Sequence, residues 1–366
     1  MCNTTTLAPP PPAAEGLSPR QQEFSERLLG MLNDAAASMM ISIGHRTGLF
    51  AAMQDGRAVT SVELAEKAKL HERYVREWLG AMTTAHIVSY DPASAKFTLP
   101  ADHGAFLGEG AEIANMAGTF QFISILGGVE SKIVDCFENG GGVPYEEYER
   151  FHECMAEESD VTVVAGLEDH ILPLAPGIIE KLEAGIDVAD IGCGSGRALN
   201  QLAQRFPNSR FTGYDLCEET VVTAISEAKD RGLSNVDFVK QDATLLDGSG
   251  LFDLIFTFDA VHDQAQPATV LAHIRRLLKD DGIYLMQDID AQTPVEANID
   301  HPMGTFVYTI SCMHCMTVSL AQGGVGLGAA WGEQLAEAML KDAGFRHVSI
   351  ERLPHDEMNL YFVCRP

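Results

Sequence analysis

The sequence predicts an α/β protein, in which a mainly helical front domain precedes a doubly wound, mostly parallel sheet with a C-terminal antiparallel hairpin. Two observations carry this expectation. From Gly185 onward short β-rich runs alternate with helical ones, the pattern of a parallel sheet with crossover helices. Before that point apolar residues recur at helical spacing, interrupted by a single pair of short β-prone runs. A chain of 366 residues exceeds one ordinary core, so two domains of unequal size are expected.

Residues 1–16, with Pro9 to Pro12 in a row, are expected to form a disordered tail. Residues 17–105 make the front domain. Its first helical stretch carries Phe24, Leu28, Leu29, Leu32 and the apolar run Ala35 to Ile43. Thr60-Ser61-Val62-Glu63 has the spacing of a capping box and opens a short helix to Ala68. A second helix follows over Glu72 to Thr84, then two short strands, Ile87 to Tyr90 and Lys96 to Leu99. Helix, turn, helix and a two-stranded wing give a winged-helix-like domain. Residues 106–180 read as a helical connector that roofs a pocket, broken at Gly140 to Gly142. Residues 181–366 hold the sheet, with strands at Val188–Ile191, Arg210–Tyr214, Val236–Val239, Leu254–Phe258 and Ile283–Met286. The hairpin is expected at Val348–Glu351 and Leu360–Val363.

Charge narrows the partners. A formal net charge of −27 repels phosphate backbones and anionic lipid heads. Between Arg57 and Asp102 six basic residues are matched by six acidic ones, so the winged-helix-like domain offers no basic face for DNA and is expected to build a homodimer. Eight scattered cysteines without framework spacing, and no basic-then-apolar leader at the N-terminus, fit reduced thiols in the cytoplasm. Met303 to Trp331 lacks Asp, Glu, Lys and Arg, but its glycines and polar residues make it a buried pocket segment rather than a membrane span. No metal is expected: Cys312-Met313-His314-Cys315 has no second Cys-x-x-Cys to complete a zinc set.

Chemistry concentrates at Asp190-Ile191-Gly192-Cys193-Gly194-Ser195-Gly196, a strand running into a glycine-rich turn and a helix start. Glycines are needed where the backbone passes close to a ligand and turns sharply. A dinucleotide fingerprint would put its third glycine where Arg197 stands.

This loop resembles that of the class I S-adenosylmethionine-dependent methyltransferases, whose mark is an acidic residue followed by Gly-x-Gly-x-Gly. Further marks follow in order: Gly213-Tyr214-Asp215-Leu216, Gln241-Asp242-Ala243 and Leu278 to Tyr284. The resemblance implies a Rossmann-like fold and S-adenosyl-L-methionine as cofactor. It places that cofactor on Asp190, Gly192, Gly194, Gly196, Asp215, Leu216, Asp242, Ala243 and Phe258, with Asp215 on the ribose hydroxyls and Asp242 near the adenine.

The winged-helix-like front, Phe151 to Met155 and Asp259-Ala260-Val261-His262-Asp263 are similar to small-molecule O-methyltransferases. That resemblance implies His262 as general base with Asp263 beside it, and Phe151 and Met155 in the substrate pocket. Gln264 replaces the aromatic residue that often follows the His-Asp pair. His314 is a second candidate for base or pocket residue. The expected activity is methyl transfer to a small-molecule oxygen, sulfur or nitrogen nucleophile. Two alternatives stay open: a winged-helix regulator that senses the cofactor without catalysis, and an NAD(P)-dependent oxidoreductase.

Overall fold

The structure, a computed structural model, describes residues 16–108 and 115–366, so the expected tail lies outside the described residues except for Gly16. The chain divides into two compact units at Phe120/Gln121. The connector expected as one piece over 106–180 is therefore shared between them.

The first unit contains α1 (Pro19–Arg46), α2 (Leu49–Met53), α3 (Ser61–Ala68), α4 (Glu72–Thr84), β1 (Ser89–Asp91), β2 (Lys96–Thr98) and α5 (Ala101–Gly104). Its helix starts are written in the sequence. Thr60 Oγ1 accepts the Glu63 N–H while the Glu63 carboxylate accepts the Thr60 N–H, a complete capping box. Ser18 and Gln21 do the same for α1, with Pro19 at its first position. The core is built on Phe50 and Trp78, whose rings meet edge to face at 5.1 Å, with Leu64, Leu79 and Met82 around them. Gly44 permits that packing, since a Cβ there would stand 2.7 Å from both rings. β1 and β2 pair antiparallel, Ser89 opposite Thr98, as the wing.

Two details refine the sequence expectation. Leu49, Phe50 and Met53 are buried in the unit's own core, whereas Phe24, Leu28, Leu29 and Leu32 on α1 are all exposed. On α4, Arg76 is paired with Glu72 at 2.6 Å and Arg73 with Glu77, which ties both arginines to carboxylates one helical turn away.

The second unit opens with α6 (Gln121–Asn139), α7 (Phe151–Ser159) and α8 (Ile178–Ala184). The sheet and its helices follow: β3 (Asp187–Ile191), α9 (Arg197–Arg205), β4 (Arg210–Asp215), α10 (Glu218–Asp230), β5 (Val236–Lys240), β6 (Phe252–Phe258), α11 (Pro267–Leu277) and β7 (Leu278–Ile289). Then come α12 (Gly304–Ile310), α13 (Met316–Ala321), α14 (Glu333–Asp342), β8 (His347–Leu353) and β9 (Asp356–Arg365). The strand order is β5-β4-β3-β6-β7-β9-β8. The first five strands run parallel, and β9 joins β7 and β8 antiparallel. Strand order reverses between β3 and β6, the place in open α/β sheets where a crevice forms at the carboxyl ends. One apolar cluster covers each face of the sheet, around Leu199, Phe206 and Phe211 on one side and Val270, Ile274 and Leu340 on the other.

The uncharged segment after Met303 is not one long span: α12 passes through a π-helical turn, Ser311–Cys315, into α13. No helix among the described residues is long and apolar enough to cross a membrane.

Candidate active site

β3 delivers the chain into the glycine loop. Gly192, Gly194 and Gly196 all take positive φ, at 80°, 51° and 69°, a conformation that L side chains rarely adopt. Two of them also lack room, because a Cβ at Gly192 would lie 2.5 Å from the Ala260 Cβ and one at Gly196 would lie 2.4 Å from the Phe238 ring. A Cβ at Gly194 would meet nothing within 4 Å, so that glycine bares its backbone to open space. The loop is tied to the next strand end. Asp215 Oδ2 accepts the Gly194 N–H at 2.8 Å, and its Oδ1 accepts the Cys217 N–H at 2.8 Å and the Thr220 hydroxyl at 3.0 Å.

A cleft of about 280 Å³ opens against this loop, lined by Gly192, Asp215, Leu216, Asp242 and Ala243 together with Gln264, Gln266 and Gln322. Five of the sequence-predicted cofactor residues thus share one wall. Asp242 also caps the turn after β5, accepting the Thr244 N–H and hydroxyl at 2.8 and 2.7 Å. Phe258 is half-buried and stacks on Phe256 at 5.3 Å, packed against the sheet core and apart from the residues that line the cleft. Asp190 is buried with Oδ1 lacking any partner in the protein. Burial, reinforced by Asp215, pushes its carboxyl up to about 8. A buried carboxyl oxygen without a donor, beside bare glycine backbone and a carboxylate able to accept from a diol, fits a cationic nucleoside cofactor.

Asp190 gives the fold a pH dependence. In the unfolded chain its carboxyl ionises near the ordinary 3.8 and in the fold near 8, so between those values the fold keeps a proton that the unfolded chain releases. Stability without ligand should decline as pH rises through that window. Urea unfolding at pH 5.5 and 7.5 checks it, as Asp190→Asn should flatten the decline; an equal slope in both proteins removes Asp190 as its source.

At the end of β6 the chain turns through Asp259, held at φ 49°, and brings His262 inward. Its imidazole is 4% exposed, and Nδ1 lies 2.8 Å from Asp288 Oδ1 at the end of β7. The carboxylate on Nδ1 is therefore Asp288 and not Asp263, the neighbour in sequence that was expected beside the base. Asp263 faces elsewhere and accepts the hydroxyl of Tyr145, while burial, opposed by His262 and that hydroxyl, lifts its carboxyl to about 6. Asp288 is itself held, accepting from the Trp331 indole at 2.9 Å and from the Ile289 N–H at 2.9 Å. Burial disfavours charge on His262, but Asp288 and the Cys315 side chain outweigh it and hold the imidazole well above its ordinary range.

Asp259, His262 and Asp288 bring ligand atoms within 4.8 Å of one another, a grouping the sequence reading did not foresee. Within it Asp288 Oδ1 serves His262, Trp331 and Ile289, while Asp288 Oδ2 and Asp259 Oδ1 are buried without a partner. Asp288 was legible only as a carboxylate at the carboxyl end of a central strand, on the same sheet edge as His262. Trp331 carried no signal.

His314 is buried with both ring nitrogens lacking a partner, and burial keeps it neutral, well below the ordinary imidazole range. It stacks on Phe151 at 3.5 Å, with Tyr145 and Tyr148 edge-on. Met155 packs at the margin of the same aromatic cluster, so the predicted pocket residues do meet. His314 and Cys315 are both buried residues of the π-helical turn. Cys312 lies elsewhere, lining an open groove of about 750 Å³ with Phe137 and Tyr308. The two cysteines of the Cys-x-x-Cys pattern therefore face different surroundings.

These features define a class: a Rossmann-like sheet with a glycine-rich cofactor loop is the fold of the class I methyltransferases. Residues 35–109 match the family model of the Rv2258c-like winged HTH domain, and residues 182–344 match that of a methyltransferase domain. The chain belongs to the S-adenosyl-L-methionine-dependent methyltransferases with an N-terminal winged-helix domain. It is 26% identical over 174 residues to malonyl-[acyl-carrier protein] O-methyltransferase of Paenibacillus, covering 45% of this chain and 60% of the relative. It is 32% identical over 114 residues to trans-aconitate 2-methyltransferase of Deinococcus radiodurans, covering 31% and 39%. The chain thus spans less than two thirds of the length of these relatives. Human N-acetylserotonin methyltransferase, solved in complex with S-adenosylmethionine, shares the fold with a TM-score of 0.68, covering 95% of this chain and 99% of that one at 15% identity.

Proposed function

We propose that this protein methylates a small-molecule hydroxyl, with His262 as general base. The observation that carries this reading is the His262–Asp288 pair, buried and fixed by Trp331 at the carboxyl edge of the sheet. S-adenosylmethionine, when bound, supplies an electrophilic methyl group on a sulfonium. The protein's task is then to hold the acceptor in line with that methyl, exclude water and take up a proton. In this reading Gly192, Gly194, Asp215, Leu216, Asp242 and Ala243 hold the cofactor, and His314, Phe151 and Met155 contact the acceptor. The acceptor's O–H bond breaks toward the imidazole as its oxygen gains the methyl, leaving S-adenosylhomocysteine. Asp288 stabilises the imidazolium that forms. A supported base speaks for a catalyst over a cofactor sensor, and the methyltransferase match spans the glycine loop on which an oxidoreductase would depend. The test is a screen of small phenols, thiols and amines with labelled cofactor, alongside competition of S-adenosylhomocysteine against NADP. Displacement by NADP, or no labelled product from any acceptor, overturns the reading.

We further propose a homodimer acting in the cytoplasm, without nucleic acid or membrane partners. The exposed ridge of Phe24, Leu28, Leu29 and Leu32 on α1 supports burial against a second copy. The paired arginines of α4 and the net charge speak against DNA, and the scattered cysteines lack the spacing of a disulfide framework, which fits a reducing compartment. Light scattering at micromolar concentration should give twice the chain mass, and Leu29→Glu with Leu32→Glu should halve it. A monomeric wild type removes the dimer.

A further inference from the structure

Beside the imidazole of His262 lie two carboxylate oxygens that the protein leaves without a donor. Asp288 is 1% exposed, and while its Oδ1 accepts from His262, Trp331 and Ile289, its Oδ2 has no partner. Asp259 Oδ1 is buried without a partner as well. Ligand atoms of Asp259, His262 and Asp288 all lie within 4.8 Å of one another, and the ring nitrogen turned toward Asp288 is Nδ1, at 2.8 Å. A buried carboxylate oxygen that meets no donor is costly unless a cation meets it.

We propose that Asp259, His262 and Asp288 bind a divalent ion of the zinc class, and that the ion switches the base off. The switching rests on the reading of His262 given above; the binding does not. One imidazole and two carboxylates are a donor set that zinc accepts, with a fourth position left for water. Asp288 can give Oδ2 to the ion and keep Oδ1 on the N–H groups of Trp331 and Ile289, the kind of support that orients a metal-bound carboxylate. Magnesium fits poorly, since it demands an octahedral shell and parts reluctantly with its waters. When zinc takes Nδ1 of the neutral ring, the hydrogen held there passes through solvent to Nε2; when it takes Nδ1 of the imidazolium, that proton leaves and Nε2 keeps its own. Either way Nε2 ends as a donor that no longer accepts, and the proton of the methyl acceptor has no destination.

The test uses the full-length protein, labelled S-adenosylmethionine and the best hydroxyl acceptor from the screen, with a chelator or a zinc buffer as the only variable. Equilibrium dialysis should show one tight zinc ion per chain in wild type, lost in Asp259→Asn. Zinc-edge X-ray absorption should show nitrogen and oxygen neighbours at about 2.0 Å, without the sulfur shell near 2.3 Å that marks a cysteine site. Bound zinc should suppress wild-type turnover about tenfold or more, and magnesium at the same concentration should not. Asparagine tolerates the positive φ of Asp259, so Asp259→Asn should keep the zinc-free kcat within about twofold while needing about tenfold more zinc for half inhibition. Absence of a tight ion, a sulfur shell, equal zinc sensitivity in Asp259→Asn, equal inhibition by magnesium, or tight binding with full turnover each overturns the proposal. If Asp259→Asn does not fold, dialysis of His262→Ala decides, since a variant that retains the ion contradicts the site. Should His262→Ala keep full turnover without zinc, the base reading fails instead, and dialysis of the wild type still shows whether the ion binds.

Discussion

Replacing His262 with alanine is expected to cut turnover on a hydroxyl acceptor by about a hundredfold or more while leaving cofactor affinity nearly intact. The asymmetry follows from position. The cofactor wall is made by the glycine loop and the ends of β4 and β5, whereas His262 hangs from the end of β6 and is held by Asp288 of β7. Because Asp288 and Cys315 hold the imidazole above its ordinary pKa, and only the unprotonated ring can accept a proton, the wild-type rate should climb as pH rises past neutrality. The alanine variant should lack that limb. A thiol acceptor behaves differently, since its pKa near 8.5 supplies thiolate without help, and raising the pH should restore much of the variant's rate. Asp288→Asn should resemble the alanine variant more than the wild type, because an amide can point a donor at Nδ1 and favour the wrong tautomer. Full turnover of His262→Ala on every acceptor at neutral pH would eliminate His262, and His314→Ala would then be measured.

Asp215→Ala is expected to weaken cofactor binding roughly ten- to a hundredfold, or about 1.5 to 3 kcal/mol. Two separate losses push the effect toward the upper end. The variant loses a carboxylate able to accept from a ribose diol, and it releases the Gly194 N–H and the start of α10, both tied to that carboxylate. Asp215→Asn separates the two, because its amide oxygen can still accept from Gly194 while the charge is gone. Calorimetry with S-adenosylhomocysteine should rank wild type first, Asn second and Ala last. Equal affinity in a folded alanine variant would remove Asp215 from the cofactor site.

How far the sequence could be read depends on whether a residue's role is local. Thr60 and Glu63 cap a helix from three residues apart, α4 begins and ends where its periodicity does, and the three glycines announce a ligand loop through backbone geometry alone. Each of these needs only near neighbours. The partner of His262 does not. Asp263 was adjacent in sequence, and Asp288 is 26 residues away; only the parallel pairing of β6 with β7 shows that two strand ends share an edge. The same holds for β7, whose strand was expected only over Ile283–Met286. Leu278 pairs with Phe252 across a register shift, which lengthens a strand that local propensity ends at Gly282. The π-helical turn was hidden as well, since Ser311 to Cys315 is compatible with an ordinary helix until the packing around it is known.

That turn has a consequence for how this molecule tolerates change. A hydrogen bond from i to i+5 encloses one residue more than a regular helical turn, so deleting one residue, for instance Met313, would let α12 and α13 fuse into an unbroken helix. Local geometry would improve, yet everything beyond the deletion would rotate by about 100°, the step of one residue in an α-helix. His314 would swing away from Phe151, and the loop after α13, whose Gly328 N–H donates to the His262 carbonyl, would be wound out of place. In this stretch the more regular chain is the less useful one, and a redesign that rewarded helical regularity would erase the site while the protein still folded.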